Sequence, residues 1–316
     1  MRREGVERFF AFARERHQIY LRRQAGMERP WTRDPILQKY RFTNVFRELD
    51  KTTVWFRKHV RDPLRSKPEV LLATLTFRLL NRIETGQAVF CQEDFHSRFR
   101  GKNTFTTAFE DFAEHGDVRV LRDAIRTFSK RGPYVTGAYI ISSPPGLPKL
   151  DGVLRVIEGF ASKKCERNHC GFMDWECVAR RLIAEPGKHT LKAVWTWLRE
   201  FPYVGPFHAY EITSDLSHTD LLSGAPDVMT WANPGPGAKR GLSHTFGRDH
   251  RASASREQLI QEMRDLLEMS RDKRYWPQGD ENWPKWTMRE PEHGACEWWK
   301  YEKVRLGLGR PRGVYR

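Results

Sequence analysis

Along most of the chain, apolar residues return at intervals of three and four, the spacing that gives a helix one buried side. Residues 2–24 follow it, with Phe9, Phe12 and Tyr20 on one face. Asp34 and Pro35 have the chemistry of an N-cap and a first-turn proline. Ile36, Leu37, Tyr40, Val45, Phe46 and Leu49 then predict a helix, or a pair, to about residue 60. Residues 69–83 (EVLLATLTFRLLNRI) are apolar nearly all round, which suits a central helix packed on several sides. Short helical patterns follow at 104–112 and 120–128. Residues 134–141 (YVTGAYII) have strand composition but run into SSPPGLPK, so a short strand and an extended loop both fit.

Further helices are predicted at 150–161, 177–184 and 190–200, the last with Leu191, Val194, Trp195 and Leu198 on one face. Gly205 ends that run, and Phe207, Tyr210, Ser214 and Leu216 line the next helix. Residues 233–241 (NPGPGAKRG) read as a rigid turn and 256–269 as an amphipathic helix. A Trp/Pro/Arg-rich tail begins at Tyr275 and closes on the basic, weakly ordering GLGRPRGVYR. No repeat of solenoid period is present. The expectation is a mainly α protein with little β. It forms one helical domain over residues 1–316, with an N-terminal helical part (about 1–141), a hairpin-containing part (about 150–270) and the tail.

Composition sharpens this picture. With 39% hydrophobic and 12% aromatic residues, the 316-residue chain can bury a substantial core. Fifty-five Lys and Arg against forty Asp and Glu leave a formal charge of +15, a field that gathers a polyanion. Basic residues interleave with Trp55, Phe56, Trp276 and Trp286, which points to nucleic acid over a merely solubilising charge. Five irregularly spaced cysteines suit a reducing compartment, and no apolar run is long enough for a bilayer. Glu4, Glu7, Glu15 and Glu28 among the early arginines mark an amphipathic helix instead of a targeting peptide, so a soluble intracellular protein is expected.

Three stretches carry candidate chemistry. Helix, glycine turn and helix at 190–215 would offer backbone N–H groups and a positive helix end to a phosphate through Gly205, although many helical corners contain glycine. Glu211 and Asp215 lie four apart on one helix face, with Asp227 in the loop beyond. Such acids either pair with Arg or Lys or line a pocket that binds an amine or moves a proton. Gly235 and Gly237 beside Lys239 and Arg240 combine flexible backbone with two cations for phosphate or pyrophosphate. That segment lacks the Gly-Lys-Ser/Thr ending of a Walker loop, and no Walker motif occurs in the chain, which disfavours self-contained kinase chemistry. Cys165-Glu-Arg-Asn-His-Cys170, with Cys177, matches no common zinc finger, so buried thiols and no metal site are expected. Of the scattered histidines His208, His218 and His244, His208 within the hairpin helix is the one to test.

Taken in order, several segments are similar to a known family. These are Pro35–Asp50 (PILQKYRFTNVFRELD), Phe77–Asn81 (FRLLN), Thr136–Tyr139 (TGAY), the hairpin with Ala209-Tyr-Glu211 and Asp215-Leu216, Gly235–Ala238 and Arg240–Leu242, and Cys296–Tyr301 (CEWWKY) with Gly309–Arg312. They resemble the phage alpha-glutamyl/putrescinyl-thymine pyrophosphorylases, also described as amino acid:DNA transferases; a related helical domain accompanies hydroxymethyluracil DNA kinases. The resemblance spans roughly residues 30–312. It implies a helical fold distantly related to helix-hairpin-helix DNA glycosylases and a role in thymidine hypermodification. In that pathway a kinase pyrophosphorylates 5-hydroxymethyluracil within DNA, and a transferase then displaces the pyrophosphate with an amine. Lacking a Walker motif, the chain resembles the transferase. The glycosylase counterpart of Asp227 is its catalytic Asp, whereas Tyr203 stands where the hairpin's first glycine is usual.

The implied chemistry distributes roles as follows. The base is flipped out of the duplex to reach a pocket. Lys239 and Arg240, and secondarily Arg41 and Arg47, stabilise the departing pyrophosphate. Asp227, supported by Glu211 and Asp215, takes the proton of the amine. Asn44, Asn81 and Tyr210 recognise the uracil edge or amino acid, or are buried hydrogen-bonding residues. The donor is free glycine or glutamate, or a polyamine. No cofactor is required, and a divalent ion on the pyrophosphate is compatible with the chemistry. The expected location is the cytoplasm of the infected bacterium, alongside a hydroxymethyluracil DNA kinase. The alternatives are a helix-hairpin-helix glycosylase and a non-catalytic DNA-binding module that recruits a kinase.

Overall fold

The computed structural model describes residues 2–92, 95–96, 105–129, 132–138, 140–162, 177–179, 182, 187–311 and 313–315. The chain forms two compact units: one from Met1–Asp50 together with Val228–Arg316, the other from Lys51–Asp227. The architecture is mainly helical.

The first unit opens with helix α1 (Arg2–Gln24), whose Phe9 and Phe10 are wholly buried. Gly26, at φ +71°, ends it, with the Met27 N–H donating to the Arg22 carbonyl at 3.0 Å in the left-handed helix stop that glycine favours. Helix α2 (Pro35–Lys39) begins as the sequence predicts: Asp34 Oδ1 accepts from the N–H groups of Ile36 (2.8 Å) and Leu37 (3.0 Å). Of the helix or pair expected to about residue 60, separate helices form at Pro35–Lys39 and Lys51–Phe56, with non-helical backbone after the first. Tyr40 is extended, at φ −106° and ψ 144°, and forms an antiparallel bridge with Val314, so this backbone is satisfied by the C-terminal segment.

In the second unit, α3 (Lys51–Phe56) runs into one π turn, Arg57–Arg61. Helix α4 (Val70–Leu80) has every residue buried and stops at Asn81, which sits in the left-handed region at φ 49°. Helix α5 (Ile83–Phe90) follows, then a two-residue antiparallel ladder of β1 (Phe95–His96) and β2 (Phe105–Thr106). Where a helix was expected from residue 104, Thr107 instead starts α6 (Ala108–His115) through a capping box with Glu110, and Gly116 at φ 71° ends it. Helix α7 (Arg119–Phe128) is followed by irregular backbone at the described positions between 132 and 141, where Thr136 N–H donates to the Leu80 carbonyl at 2.9 Å. The unit closes with α8 (Lys149–Ala161), α9 (Leu191–Leu198) and α10 (Pro206–Leu216). Helix α4 is its centre, packed against α8 and α10. Cys165 and Cys170, Tyr139, and most of the helix expected over 177–184 lie outside the described residues.

The remaining helices complete the first unit: α11 (Pro236–Thr245), α12 (Arg256–Met269) and α13 (Arg289–Arg305). The 233–241 stretch is therefore no free turn, since Gly235 caps α11 and Pro236 starts it. Backbone contact holds α11 to α13. A Cβ on Gly241 would lie 2.0 Å from the Ala295 carbonyl oxygen, and one on Gly237 2.5 Å from Cys296 Sγ. The tail is likewise ordered more than its composition suggests. Trp298 and Trp299 on α13 are buried, Trp286 packs with Phe9 and Phe10, and buried Trp276 packs against Trp286. Those tryptophans build core and offer no basic-aromatic surface.

Candidate functional site

Helix α10 carries most of the candidate chemistry. Its buried residues include His208, Tyr210, Glu211 and Asp215, so positions three and four apart bring an imidazole and two carboxylates to one side. Asp215 is met from α4 by Arg78, whose Nε donates to Oδ2 at 2.5 Å and Nη2 to Oδ1 at 2.8 Å. Arg61 Nη1 approaches Oδ1 to 3.7 Å. Arg78 also donates to Thr53 Oγ1 (3.2 Å) and to Asn81 Oδ1 (3.2 Å), which ties Asn81 into the same cluster. The like charges on α10 are thus resolved in part by buried arginines. Burial drives the His208 pKa down to about 4, with Lys149 adding to the fall and Glu211 opposing it, so the imidazole is neutral at neutral pH.

The hairpin that presents α10 has a conformation the sequence only partly discloses. Gly205 is at φ −74° and ψ 172°, extended backbone open to any residue, and caps α10 ahead of Pro206. The left-handed position belongs to Tyr203, at φ +66°, where a glycine is usual. Trp195 Nε1 donates to the Pro206 carbonyl at 3.0 Å and pins the two helices at the turn. Tyr203 and Phe207 are exposed, and Arg199 stands 4.6 Å above the Trp195 ring.

Asp227 has a definite task at the other end of this hairpin. Its Oδ1 accepts from Leu191 N–H at 2.8 Å and its Oδ2 from Lys192 N–H at 3.0 Å, satisfying two donors at the start of α9.

The remaining predicted residues belong to the first unit. Lys239 and Arg240 are exposed on α11. Gly235 N–H donates to Glu292 Oε1 at 3.4 Å, so a carboxylate from α13 stands at this helix start. Gly237 serves helix packing and supplies no flexible loop. Arg47 pairs with Asp50 at 2.8 Å, and Asp50 accepts from Asn44 N–H at 2.9 Å. The Asn44 amide lies within this scaffold: Oδ1 accepts from buried Arg16 (2.8 Å) and Nδ2 donates to the Leu49 carbonyl (2.7 Å). Arg41 is exposed.

Thr43, next in sequence, links this scaffold to α13 by donating its N–H to Glu297 Oε2 at 3.0 Å and holding its hydroxyl 2.6 Å from His293 Nε2. Burial alone would raise the Glu297 carboxyl, but Lys300 at 2.6 Å, His293 and the Thr43 N–H bring it below its usual range. Burial, reinforced by Glu297 and Glu292, pushes the Cys296 thiol up to about 12, which leaves it protonated and inert.

Sequence reasoning missed Arg78, Arg61, Glu292 and Glu297. Arg78 had a signal, as the one cation amid the apolar run of α4, whereas the others declare themselves only through partners distant in sequence. Among the described residues, no group of three or more His, Cys, Asp or Glu is placed to hold a metal ion, and no helix is long and apolar enough to cross a membrane.

Comparison with known proteins adds a family to this geometry. No solved structure matches the chain. It is similar to a 5-hmdU DNA kinase of Bacillus phage SP10, at 29% identity over 251 residues that cover 73% of this chain and 34% of the kinase. The chain thus spans about a third of the length of that curated relative. The family model of the 5-hmdU DNA kinase helical domain matches residues 3–308. With a match that runs through both units and includes α4, the hairpin, α11 and α13, the chain belongs to the 5-hmdU DNA kinase helical domain family.

Proposed function

We propose that the chain is an amino acid:DNA transferase of phage thymidine hypermodification. In this reading it replaces the pyrophosphate of 5-(pyrophosphoryloxymethyl)uracil in DNA with an amino acid or amine. The observation that carries it is the family match over residues 3–308 in a stretch without a Walker loop. A domain that keeps company with a base-modifying kinase, yet has no phosphate loop for ATP within it, suits the step that consumes the kinase's product. The +15 charge supports DNA as substrate. The α9–α10 hairpin supports a helix-hairpin-helix, glycosylase-like fold, with the cytoplasm of the infected bacterium as its place of action.

The substrate arrives activated, so the protein's work is orientation, charge stabilisation and proton transfer. The base leaves the stack. The donor amine attacks the exocyclic carbon; a C–N bond forms as the C–O bond breaks, and pyrophosphate departs with the electron pair. Lys239 and Arg240, exposed on α11, with Arg41 and Arg47, are assigned to the departing charge. Tyr210, Asn81 and Asn44 remain assigned to the base and donor, the two asparagines by shaping their surroundings. Glycine, glutamate and polyamines are the donors to be tried.

The three acids differ in their surroundings. Asp215 is tied to Arg78, and Asp227 holds the start of α9. Glu211 lies on α10 beside an imidazole that burial keeps neutral. Glu211 with His208 is therefore the proposed proton acceptor, and Asp227 and Asp215 are positioning residues.

The test mixes the protein with pyrophosphorylated hydroxymethyluracil DNA and a pool of amino acids and polyamines. The DNA is then digested and the nucleosides weighed. A nucleoside carrying the donor's mass, formed with release of pyrophosphate, is expected. Abasic sites would replace this reading with a glycosylase, and DNA binding without pyrophosphate release would leave a recruiting module.

A further inference from the structure

One surface of the first unit has, apart from Arg41, no role in the transferase reading. Between Arg22 and Arg41 the sequence has six Lys and Arg against only Glu28 and Asp34. Asp34 is already committed, capping α2 and accepting from the Tyr301 hydroxyl at 2.6 Å. The cations are not scattered. Trp31 is flanked by Arg23 at 5.2 Å and Arg29 at 4.8 Å from its ring centre. Tyr315 is flanked by Arg29 at 4.9 Å and Arg41 at 5.5 Å. The two rings meet edge to face at 5.8 Å, so two aromatics and three arginines form one contiguous cluster.

Backbone contacts hold this cluster in place. Trp31 Nε1 donates to the Met27 carbonyl at 2.7 Å, in the turn that Gly26 makes after α1. Tyr315 is fixed by its N–H to the Lys39 carbonyl at 3.0 Å, and Arg41 N–H donates to the Gly313 carbonyl at 3.0 Å. Arg23, Arg29 and Arg41 are exposed. Among the described residues, Arg23 and Arg41 make no ion pair and no side-chain hydrogen bond, so their N–H donors face solvent with their rotamers already restrained by a ring. Three like charges gathered at this density oppose one another, and ring faces offset only part of that cost. A polyanion with regularly spaced charge would offset the rest, and guanidinium forks match phosphate oxygens in geometry.

We propose that the Arg23–Arg29–Arg41 cluster on Trp31 and Tyr315 is a docking surface for the sugar–phosphate backbone of the DNA substrate. This rests on the transferase reading for the identity of the polyanion. The surface contributes affinity and register without reading bases, and it makes the C-terminal segment around Tyr315 part of the DNA-binding face.

The test is the salt dependence of binding to a fluorescein-labelled DNA duplex, read by anisotropy from ~0.05 to ~0.2 M KCl. The full chain is compared with R23Q/R29Q/R41Q and with R251Q/R271Q/K273Q, which removes equal charge elsewhere on the same unit; thermal melting verifies that each is folded. At ~0.9 counterions per phosphate contact, the cluster variant is expected to lose about 3 from the log–log slope, and the control much less. A W31A/Y315A variant, with charge intact, is expected to bind more weakly at a slope close to that of the unsubstituted chain. Equal slopes for the two triple variants would overturn the inference. Amine transfer, measured in parallel, separates the two readings. A chain that binds DNA and transfers amine while the variants behave alike loses only this surface. A chain that neither binds DNA nor yields product loses both.

Discussion

Arg78 and Asp215 face each other inside the 51–227 unit as a two-pronged pair, with 2% of either side chain exposed. Removing one partner leaves the other charged and buried, which costs about 3–5 kcal/mol. Asp215→Asn is expected to lower the denaturation midpoint accordingly. The double substitution R78M/D215L, which removes both charges, should recover most of the loss. Urea unfolding of the three variants checks this, and a D215N protein as stable as the parent would show the pair to be dispensable.

Tyr203 adopts φ +66° and is 42% exposed, so little packing offsets the strain of a left-handed non-glycine residue. That conformation costs on the order of 1 kcal/mol. Tyr203→Gly should raise stability by about 0.5–1 kcal/mol, and the β-branched Tyr203→Val should lower it by at least as much. Thermal melts of the two variants against the parent decide the matter, and a Val variant that melts above the Gly variant would contradict it.

Gly241 and Gly205 look alike in the sequence and differ in space. A Cβ at Gly241 would lie 2.0 Å from the Ala295 carbonyl oxygen, whereas one at Gly205 meets nothing within 4 Å. Gly241→Ala must therefore push α11 from α13 and should cost about 3 kcal/mol or more. Gly205→Ala should stay within ~0.5 kcal/mol. Equal midpoints in guanidinium would refute the close approach.

His208 gives stability a pH dependence of known sign. Its folded pKa of about 4 lies below the ordinary 6.5, so between these values the unfolded chain holds a proton that the folded chain does not. Stability should fall as pH drops from 6.5 to 4 and level off below, by about 3 kcal/mol in all. His208→Asn should flatten that window. Chemical denaturation at several pH values measures it, and an unchanged slope in the variant would assign the dependence to other groups.

Glu211 and Asp227 are separable by what their amides would keep. Glu211→Gln should abolish amine transfer while leaving the melting temperature and DNA affinity close to the parent's. Asp227→Asn keeps one acceptor for the α9 start and should lose about 1 kcal/mol of stability, with measurable transfer remaining. Single-turnover assays distinguish them. Full activity in E211Q, or none in a well-folded D227N, would return the proton-accepting role to Asp227.

Several features are legible in the chain itself because they rest on neighbours a few residues apart. Apolar spacing gives the helical class and α1; Asp34-Pro35 gives the start of α2, and Gly205-Pro206 the start of α10. The absence of glycine at 203 marks the unusual corner. Only the tertiary structure decides the rest, since its energies join residues far apart. Arg78 meets Asp215 across 137 positions, and Thr43 meets Glu297 across 254. Tyr40 leaves the helical pattern to pair with Val314, and four tryptophans of an apparently basic tail become core because α1 and α13 supply apolar partners. Local sequence sets which backbone shapes are cheap; burial, charge pairing and the two-ångström approach at Gly241 are set by what folding brings alongside.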